Sequence, residues 1–117
     1  MIDGEHIEYY DSGEIEFKIN YLGGKRNGEF IDYYKSGEIL SKSWYLDGKL
    51  NGESIRYYES GELGSKINYL DGNLHGKSIS YLISGKIVKY YYIYGKSVTE
   101  LEWLSYDRNI KLELIGL

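Results

Sequence analysis

The chain has 117 residues, a formal net charge of −4, and neither cysteine nor proline. This length suits a single domain, and without cysteine the domain must fold by packing alone, with no disulfide or thiolate zinc site. The acidic balance excludes a general nucleic-acid binder, because affinity for phosphate comes largely from clustered Lys and Arg.

Nothing in the sequence predicts a membrane span or an export signal. No window approaches the run of about 18 apolar residues that a spanning helix needs. The N-terminal residues MIDGEHIEYYD lack the basic-then-apolar pattern of a signal peptide. We therefore expect a soluble protein that acts in the cytoplasm.

Four glycines set the organisation of the chain. Gly4, Gly28, Gly52 and Gly76 recur at a strict spacing of 24 residues. Each begins a similar segment: GEHIEYYDSGE, GEFIDYYKSGE, GESIRYYESGE and GKSISYLISGK. A fixed period of this length is typical of a repeat architecture. The sequence predicts four repeats, of which the last is one residue short.

Each repeat has the pattern of a β-hairpin. In the first copy Ile7 and Tyr9 alternate with polar residues, as in a strand, and the return run EIEFKINYL alternates again. The Ser-Gly pair between them, Ser12-Gly13 in this copy, predicts a tight turn. We expect the Asp-Gly and Asn-Gly pairs that follow to form a longer loop into the next hairpin.

The predicted fold class is mainly β, an elongated antiparallel meander of four repeated β-hairpins with a C-terminal capping helix. Eight strands joined by short connections give such a meander. The fourth copy lacks one residue between Ile87 and Val88. A one-residue change reverses side-chain parity unless a bulge or the removal of one absorbs it, so we expect an irregularity there.

The repeat array is predicted to occupy residues 1–98, and residues 99–117 form a different element. Thr99 and Glu102 fit a capping box, and Val98 and Trp103 fit a hydrophobic staple, so a helix is predicted from about residue 100. Residues 109–117 fit either a continued helix or a strand. We expect this tail to cap the last apolar face of the array.

The repeated G-E-x-x-x-Y-Y-x-x-G-E and Y-L-D-G-K-L-N-G patterns resemble MORN repeats, in the variant form of bacterial and large-DNA-virus proteins. The resemblance covers residues 4–98. It implies a twisted array of β-hairpins used for protein association or scaffolding, with a role at phospholipid membranes also proposed. Some bacterial relatives are described as antitoxin components. If the protein is viral, its location would be the host-cell cytoplasm.

The titratable residues predict no enzyme, no cofactor and no metal. His6 and His75 lie three repeats apart, too far to share a metal ion. His75 occupies the position of an asparagine in earlier copies and is interpreted as a loop residue without a role. The glutamates recur once per hairpin, which indicates a solvated surface rather than a catalytic pair.

One face of the sheet is the candidate partner-binding surface. We expect aromatic and cationic side chains to run together on the face opposite Ile7, Tyr9 and Ile15. Pairing of Tyr with Lys across strands in a half-exposed sheet is the simpler explanation for each residue. Trp44 stands out, because the equivalent positions hold Asn20, Asn68 and Tyr91, so the repeat pattern does not require tryptophan. The predicted surface comprises Tyr10, Lys18, Tyr34, Lys42, Trp44, Tyr58, Lys66, Lys89 and Tyr91.

A basic patch in the fourth repeat is the second candidate site. Residues 73–99 carry Lys77, Lys86, Lys89 and Lys96 and no Asp or Glu. The patch would suit an acidic protein or lipid headgroups, although Glu100 and Glu102 follow and can neutralise it internally.

The favoured function is a non-catalytic module for protein–protein interaction or scaffolding, which could neutralise its partner. The alternative is peripheral association with acidic phospholipid membranes through the fourth repeat. No nucleic-acid partner is expected. Charges on the first strand, including Glu5 and Glu8, favour a monomer over an edge-to-edge dimer.

Overall fold

The computed structural model describes residues 3–116. Four long hairpins pair the strands β1 (Gly4–Tyr9) with β2 (Ile15–Leu22), β4 (Gly28–Tyr33) with β5 (Ile39–Leu46), β7 (Gly52–Tyr57) with β8 (Leu63–Leu70), and β10 (Gly76–Tyr81) with β11 (Ile87–Ile93). Short strands β3 (Lys25–Arg26), β6 (Lys49–Leu50), β9 (Asn73–Leu74) and β12 (Lys96–Val98) extend them, and one helix, α1 (Glu100–Leu114), ends the array.

The strands of residues 3–116 form one open antiparallel sheet, which confirms the predicted meander. Its main order is β1-β2-β4-β5-β7-β8-β10-β11-β12, and the short strands β3, β6 and β9 pair with β2, β5 and β8. Consecutive hairpins pair through the middle of their strands, for example Lys18 with Ile31. The radius of gyration is 17.1 Å, against about 13 Å for a compact domain of this length. The fold is therefore elongated and one sheet thick, and among described residues only Ile19 and Tyr91 are buried hydrophobic side chains.

The predicted turns at the Ser-Gly pairs are confirmed. In the first hairpin the Gly13 amide donates to the Tyr10 carbonyl at 2.9 Å, and the Tyr10 amide donates to the Glu14 carbonyl at 2.8 Å. These bonds enclose a three-residue loop whose last member, Gly13, has a φ of 103°. Three-residue hairpin loops require a left-handed residue at this place, which glycine supplies without strain.

The predicted longer loops at the Asp-Gly pairs are wrong. Asp47 and Gly48 form a two-residue turn with φ of 52° and 85°, and Leu46 pairs with Lys49 across it. Two successive residues at positive φ are typical of the type I′ hairpin turn, whose twist matches that of the strands. Each repeat therefore contains a second, short hairpin. At the equivalent place in the fourth repeat the left-handed residue is Tyr94, with a φ of 43°.

The irregularity expected at Ile87 and Val88 is absent, and it occurs instead in the other three hairpins. The pairing of β10 with β11 runs without a shift from Gly76 to Tyr81. The first three hairpins each contain a bulge, where the register skips Glu16, Leu40 or Gly64. A bulge is one residue inserted in one strand. The fourth copy has lost that inserted residue, so its hairpin is the regular one.

Helix α1 begins where the sequence predicts. Thr99 is the N-cap: its hydroxyl accepts from the Glu102 amide at 3.1 Å, and its own amide donates to the Glu102 carboxylate at 3.1 Å. The helix continues to Leu114, so the strand alternative for this segment is wrong. Residues 1, 2 and 117 of the predicted array and tail lie outside the described residues.

His75 is more than the plain loop residue that the sequence predicts. Its Nδ1 accepts a hydrogen bond from the Tyr94 amide at 3.0 Å, in place of the Asn27 and Asn51 oxygens of earlier repeats. Its ring also lies 5.5 Å from that of Trp103 and 5.7 Å from that of Tyr106, centroid to centroid. The histidine therefore joins the last turn of the array to the helix.

Candidate interaction surface

One face of the sheet carries an uninterrupted cross-strand row in which isoleucine and lysine alternate. The register pairs Ile7 with Lys18 and Lys18 with Ile31, and the pattern continues to the last hairpin. We name this side of the sheet the Ile–Lys face. Its central row is Ile7, Lys18, Ile31, Lys42, Ile55, Lys66, Ile79 and Lys89.

This pairing corrects the predicted composition of the surface. The lysines were expected on the face opposite Ile7, but residues directly paired across a ladder point to the same side of a sheet. The loop length of each hairpin fixes the register, and that length is not visible in the alternation of a single strand. The isoleucines lie between lysines whose aliphatic stems can cover them while the ammonium groups stay in water.

Three residues of the predicted surface have an internal role. The hydroxyls of Tyr10, Tyr34 and Tyr58 donate to the main-chain carbonyls of Tyr33, Tyr57 and Tyr81, at 2.5, 2.7 and 2.6 Å. Each bond ties one hairpin to the next. The equivalent residue of the fourth hairpin is Leu82, which has no hydroxyl and no following long hairpin to bind.

Burial, reinforced by Glu16 and other nearby carboxylates, raises the pKa of Tyr10.

Trp44 lies on the Ile–Lys face, opposite Glu29, with 50% of its surface exposed. The residues at the same place in neighbouring repeats are asparagines that tie strands together. The Asn20 amide donates to the Glu29 carbonyl at 3.1 Å, and the Asn68 amide donates to the Lys77 carbonyl at 2.6 Å. The single N–H donor of an indole lies farther from the main chain than the side-chain amide of asparagine does, so tryptophan does not copy this hydrogen bond. The second repeat therefore replaces a structural tie with an exposed aromatic side chain.

An exposed row of leucines, which sequence analysis missed, runs beside Trp44. Leu22, Leu46 and Leu70 have exposed fractions of 64%, 58% and 38%. They alternate in phase with Lys18, Lys42 and Lys66 along their strands, so they share the Ile–Lys face. The sequence alternation already predicts this row, because Lys42, Trp44 and Leu46 are spaced two residues apart along one strand and therefore share a face. Together they form an apolar strip next to a row of cations.

Tyr91 occupies the last position of the row that contains Trp44, but it is covered. It pairs with Lys77 and with Val98, and its exposed fraction is 9%. Burial, reinforced by the Glu100 carboxylate at the start of α1, raises the pKa of Tyr91. The chain's own helix thus packs at the fourth-repeat end of the Ile–Lys face, which leaves the first three repeats open.

The predicted basic patch is spread over the whole fourth hairpin. Lys86 lies beside the Ser-Gly turn, whereas Lys96 pairs with Ile93 at the opposite end of β11. Seven residues of strand separate these ends by about 23 Å. Lys77 and Lys89 lie between them on the Ile–Lys face. Two hydrogen bonds with Thr99, helped by the charge of Lys96, lower the pKa of Glu102, so one lysine of the patch faces an internal acid.

Within residues 3–116 no three His, Asp or Glu side chains converge as a metal site would require. No described helix is long and apolar enough to cross a membrane.

The fold and this surface define a single-layer array of β-hairpin repeats. The family model for the variant form of the MORN repeat matches residues 2–22 and 50–71, which lie in the first and third hairpin repeats. The family is consistent with a non-catalytic repeat module. Comparison with curated proteins gives no significant match.

Among solved structures, the chain is similar to part of one described as the GtfA/B complex bound to UDP and GlcNAc. The alignment has 16% identity and a TM-score of 0.43. It covers 92% of this chain and 24% of the other.

Proposed function

We propose that the chain is a protein-binding repeat module whose contact surface is the Ile–Lys face of its first three repeats. The observation that carries the proposal is Trp44, which is half exposed at the position where the first and third repeats have an asparagine tie. Partner binding explains why tryptophan replaces the hydrogen-bonding asparagine at this position. Exposed aromatic side chains contribute much of the binding energy at many interfaces.

The chemistry of the surface specifies the partner. The strip of Trp44, Leu22, Leu46 and Leu70 offers apolar area, and the lysine row runs parallel to it. Along a strand, Trp44 and Lys42 are two residues apart, or about 7 Å. A partner helix with an apolar stripe flanked by Asp and Glu would match both rows.

The packing of helix α1 supports this choice of partner. It contributes Trp103 and Tyr106 together with Glu100 and Glu102, and it packs where Tyr91 continues the row of Trp44. Its aromatic and acidic residues are complementary to the Tyr- and Lys-rich fourth hairpin. A partner of similar chemistry would extend this internal contact along the open repeats.

The matched variant for testing the surface is Trp44→Asn, because it installs the residue that the first and third repeats already use. Candidate partners are captured from source lysate, and the purified partner is then titrated calorimetrically against the intact chain, Trp44→Asn and Lys42→Glu/Lys66→Glu. Loss of an interface anchor should weaken binding by about 30-fold, corresponding to about 2 kcal/mol. Charge reversal should weaken it further at low salt.

Three results would contradict the proposal. One is a partner whose affinity is unchanged by both variants, and another is the absence of any specific partner. The third is flotation with vesicles of anionic phospholipid at physiological salt that Trp44→Asn abolishes. That last result would assign the same surface to the membrane alternative.

A further inference from the structure

The side of the sheet opposite the Ile–Lys face changes character along the array. In the first repeat and at its junction with the second it is filled: Ile19 is 2% exposed, and the Phe17 ring lies 5.7 Å from that of Phe30. In later repeats serines replace these large side chains, since Ser41 and Ser65 occupy the place of Phe17 and Ser54 and Ser78 that of Phe30. Two adjoining depressions result, and we name this region the serine groove.

The two depressions have volumes of about 200 and 260 Å³ and share Ile67 and Tyr69. The groove crosses the strands from β4 to β11, which are five strand spacings apart, or about 24 Å. Tyrosines recur along one side once per repeat, at Tyr45, Tyr69 and Tyr92.

Ser78 lies in the larger depression and carries an unused hydroxyl. It is 6% exposed, and its Oγ has no hydrogen-bond partner within residues 3–116. Burying a hydroxyl without a partner is unfavourable. The fold itself does not require a hydroxyl here, because Phe30 occupies the equivalent position in the second repeat. An unpaired group that the fold does not need is available to pair with a ligand in the depression.

The lining restricts the class of ligand. The larger depression contains Tyr69, Tyr90, Tyr92, Ser78 and Ser80 with two aliphatic residues, and none of its lining residues is charged. The smaller depression has a single charged lining residue, Arg56. Nucleic acid would need cations along its backbone. An extended peptide would need free main-chain groups, which the strands here use in their ladders.

A saccharide matches what is present. The apolar C–H face of a sugar ring packs on tyrosine, and its hydroxyls exchange hydrogen bonds with serine and tyrosine hydroxyls, which act as donor and acceptor. We infer that the serine groove binds a neutral oligosaccharide, with Ser78 hydrogen-bonded to a sugar hydroxyl in the larger depression. The length of the groove suits a chain of several sugar units lying across the strands.

The test is a screen of the purified chain against an array of neutral oligosaccharides, followed by calorimetric titration of the best one. Ser78→Ala removes the unpaired hydroxyl and should leave the melting temperature unchanged or raise it, while weakening binding about tenfold or more. Ser78→Phe copies the second repeat, fills the depression and should abolish binding. Trp44→Asn, on the opposite face, should leave sugar affinity unchanged.

Two results would overturn the inference. One is that no neutral oligosaccharide binds at millimolar concentration, and the other is that the best ligand binds the intact chain, Ser78→Ala and Ser78→Phe with equal affinity. Because the groove and the Ile–Lys face lie on opposite sides of the sheet, either result leaves the proposed protein-binding function untouched.

Discussion

The tyrosine ties between hairpins make the most direct test of how the array is stabilised. In Tyr34→Phe the ring stays and only the hydroxyl that donates to the Tyr57 carbonyl at 2.7 Å is lost. A hydrogen bond of this kind contributes about 0.5–1.5 kcal/mol net, so we expect the free energy of unfolding to fall by about 1 kcal/mol. The melting temperature should fall by about 4 °C in a domain of this size.

The same tie is repeated at Tyr10 and Tyr58, one hairpin apart, so the three contributions should be nearly additive. The triple Phe variant is therefore expected to lose about 3 kcal/mol. In a repeat array these bonds belong to the interfaces between neighbours. Weakening all three should also reduce the steepness of urea unfolding, because the hairpins then unfold less cooperatively.

Leu82 provides the matched control. It occupies the equivalent position in the fourth hairpin, after which no long hairpin follows. Leu82→Tyr should therefore change the free energy of unfolding by less than about 0.5 kcal/mol. Urea denaturation monitored by circular dichroism measures all the variants. Equal destabilisation by Tyr34→Phe and Leu82→Tyr, or no loss in the triple variant, would refute the assignment of these hydroxyls as inter-repeat ties.

Three further outcomes are expected. Trp44→Asn should raise the free energy of unfolding by about 0.5–1 kcal/mol in urea denaturation, since its amide can form the tie made elsewhere by asparagine; destabilisation would contradict this. In that background Trp103 is the remaining tryptophan, and His75→Asn should shift its emission to the red by loosening the helix while keeping an acceptor for the turn. The pKa of Glu102 is lowered in the folded chain from its ordinary value of 4.5. The ionised carboxylate therefore stabilises the helix cap above pH 4.5, and this stabilisation is lost as the pH falls through the pKa of the folded chain. Helical circular dichroism should decrease over this range, and Glu102→Gln should show no such step.

The sequence alone determined the local features of this protein. The spacing of Gly4, Gly28, Gly52 and Gly76 established the repeat, and the Ser-Gly pairs established the turns. The start of the helix at Thr99 was equally predictable. These features depend on residues a few positions apart, where backbone preferences and capping bonds act directly.

The tertiary structure alone decided which side chains share a face and which surfaces are open. Whether Lys18 lies beside Ile7 depends on the register across a turn, and one bulge or one missing residue changes it. The ties of Tyr34 to Tyr57, and the unpaired hydroxyl of Ser78, likewise arise between repeats. Alternation along one strand cannot reveal these features. The neighbouring hairpin determines whether a side chain such as Tyr34 or Ser78 finds a hydrogen-bond partner.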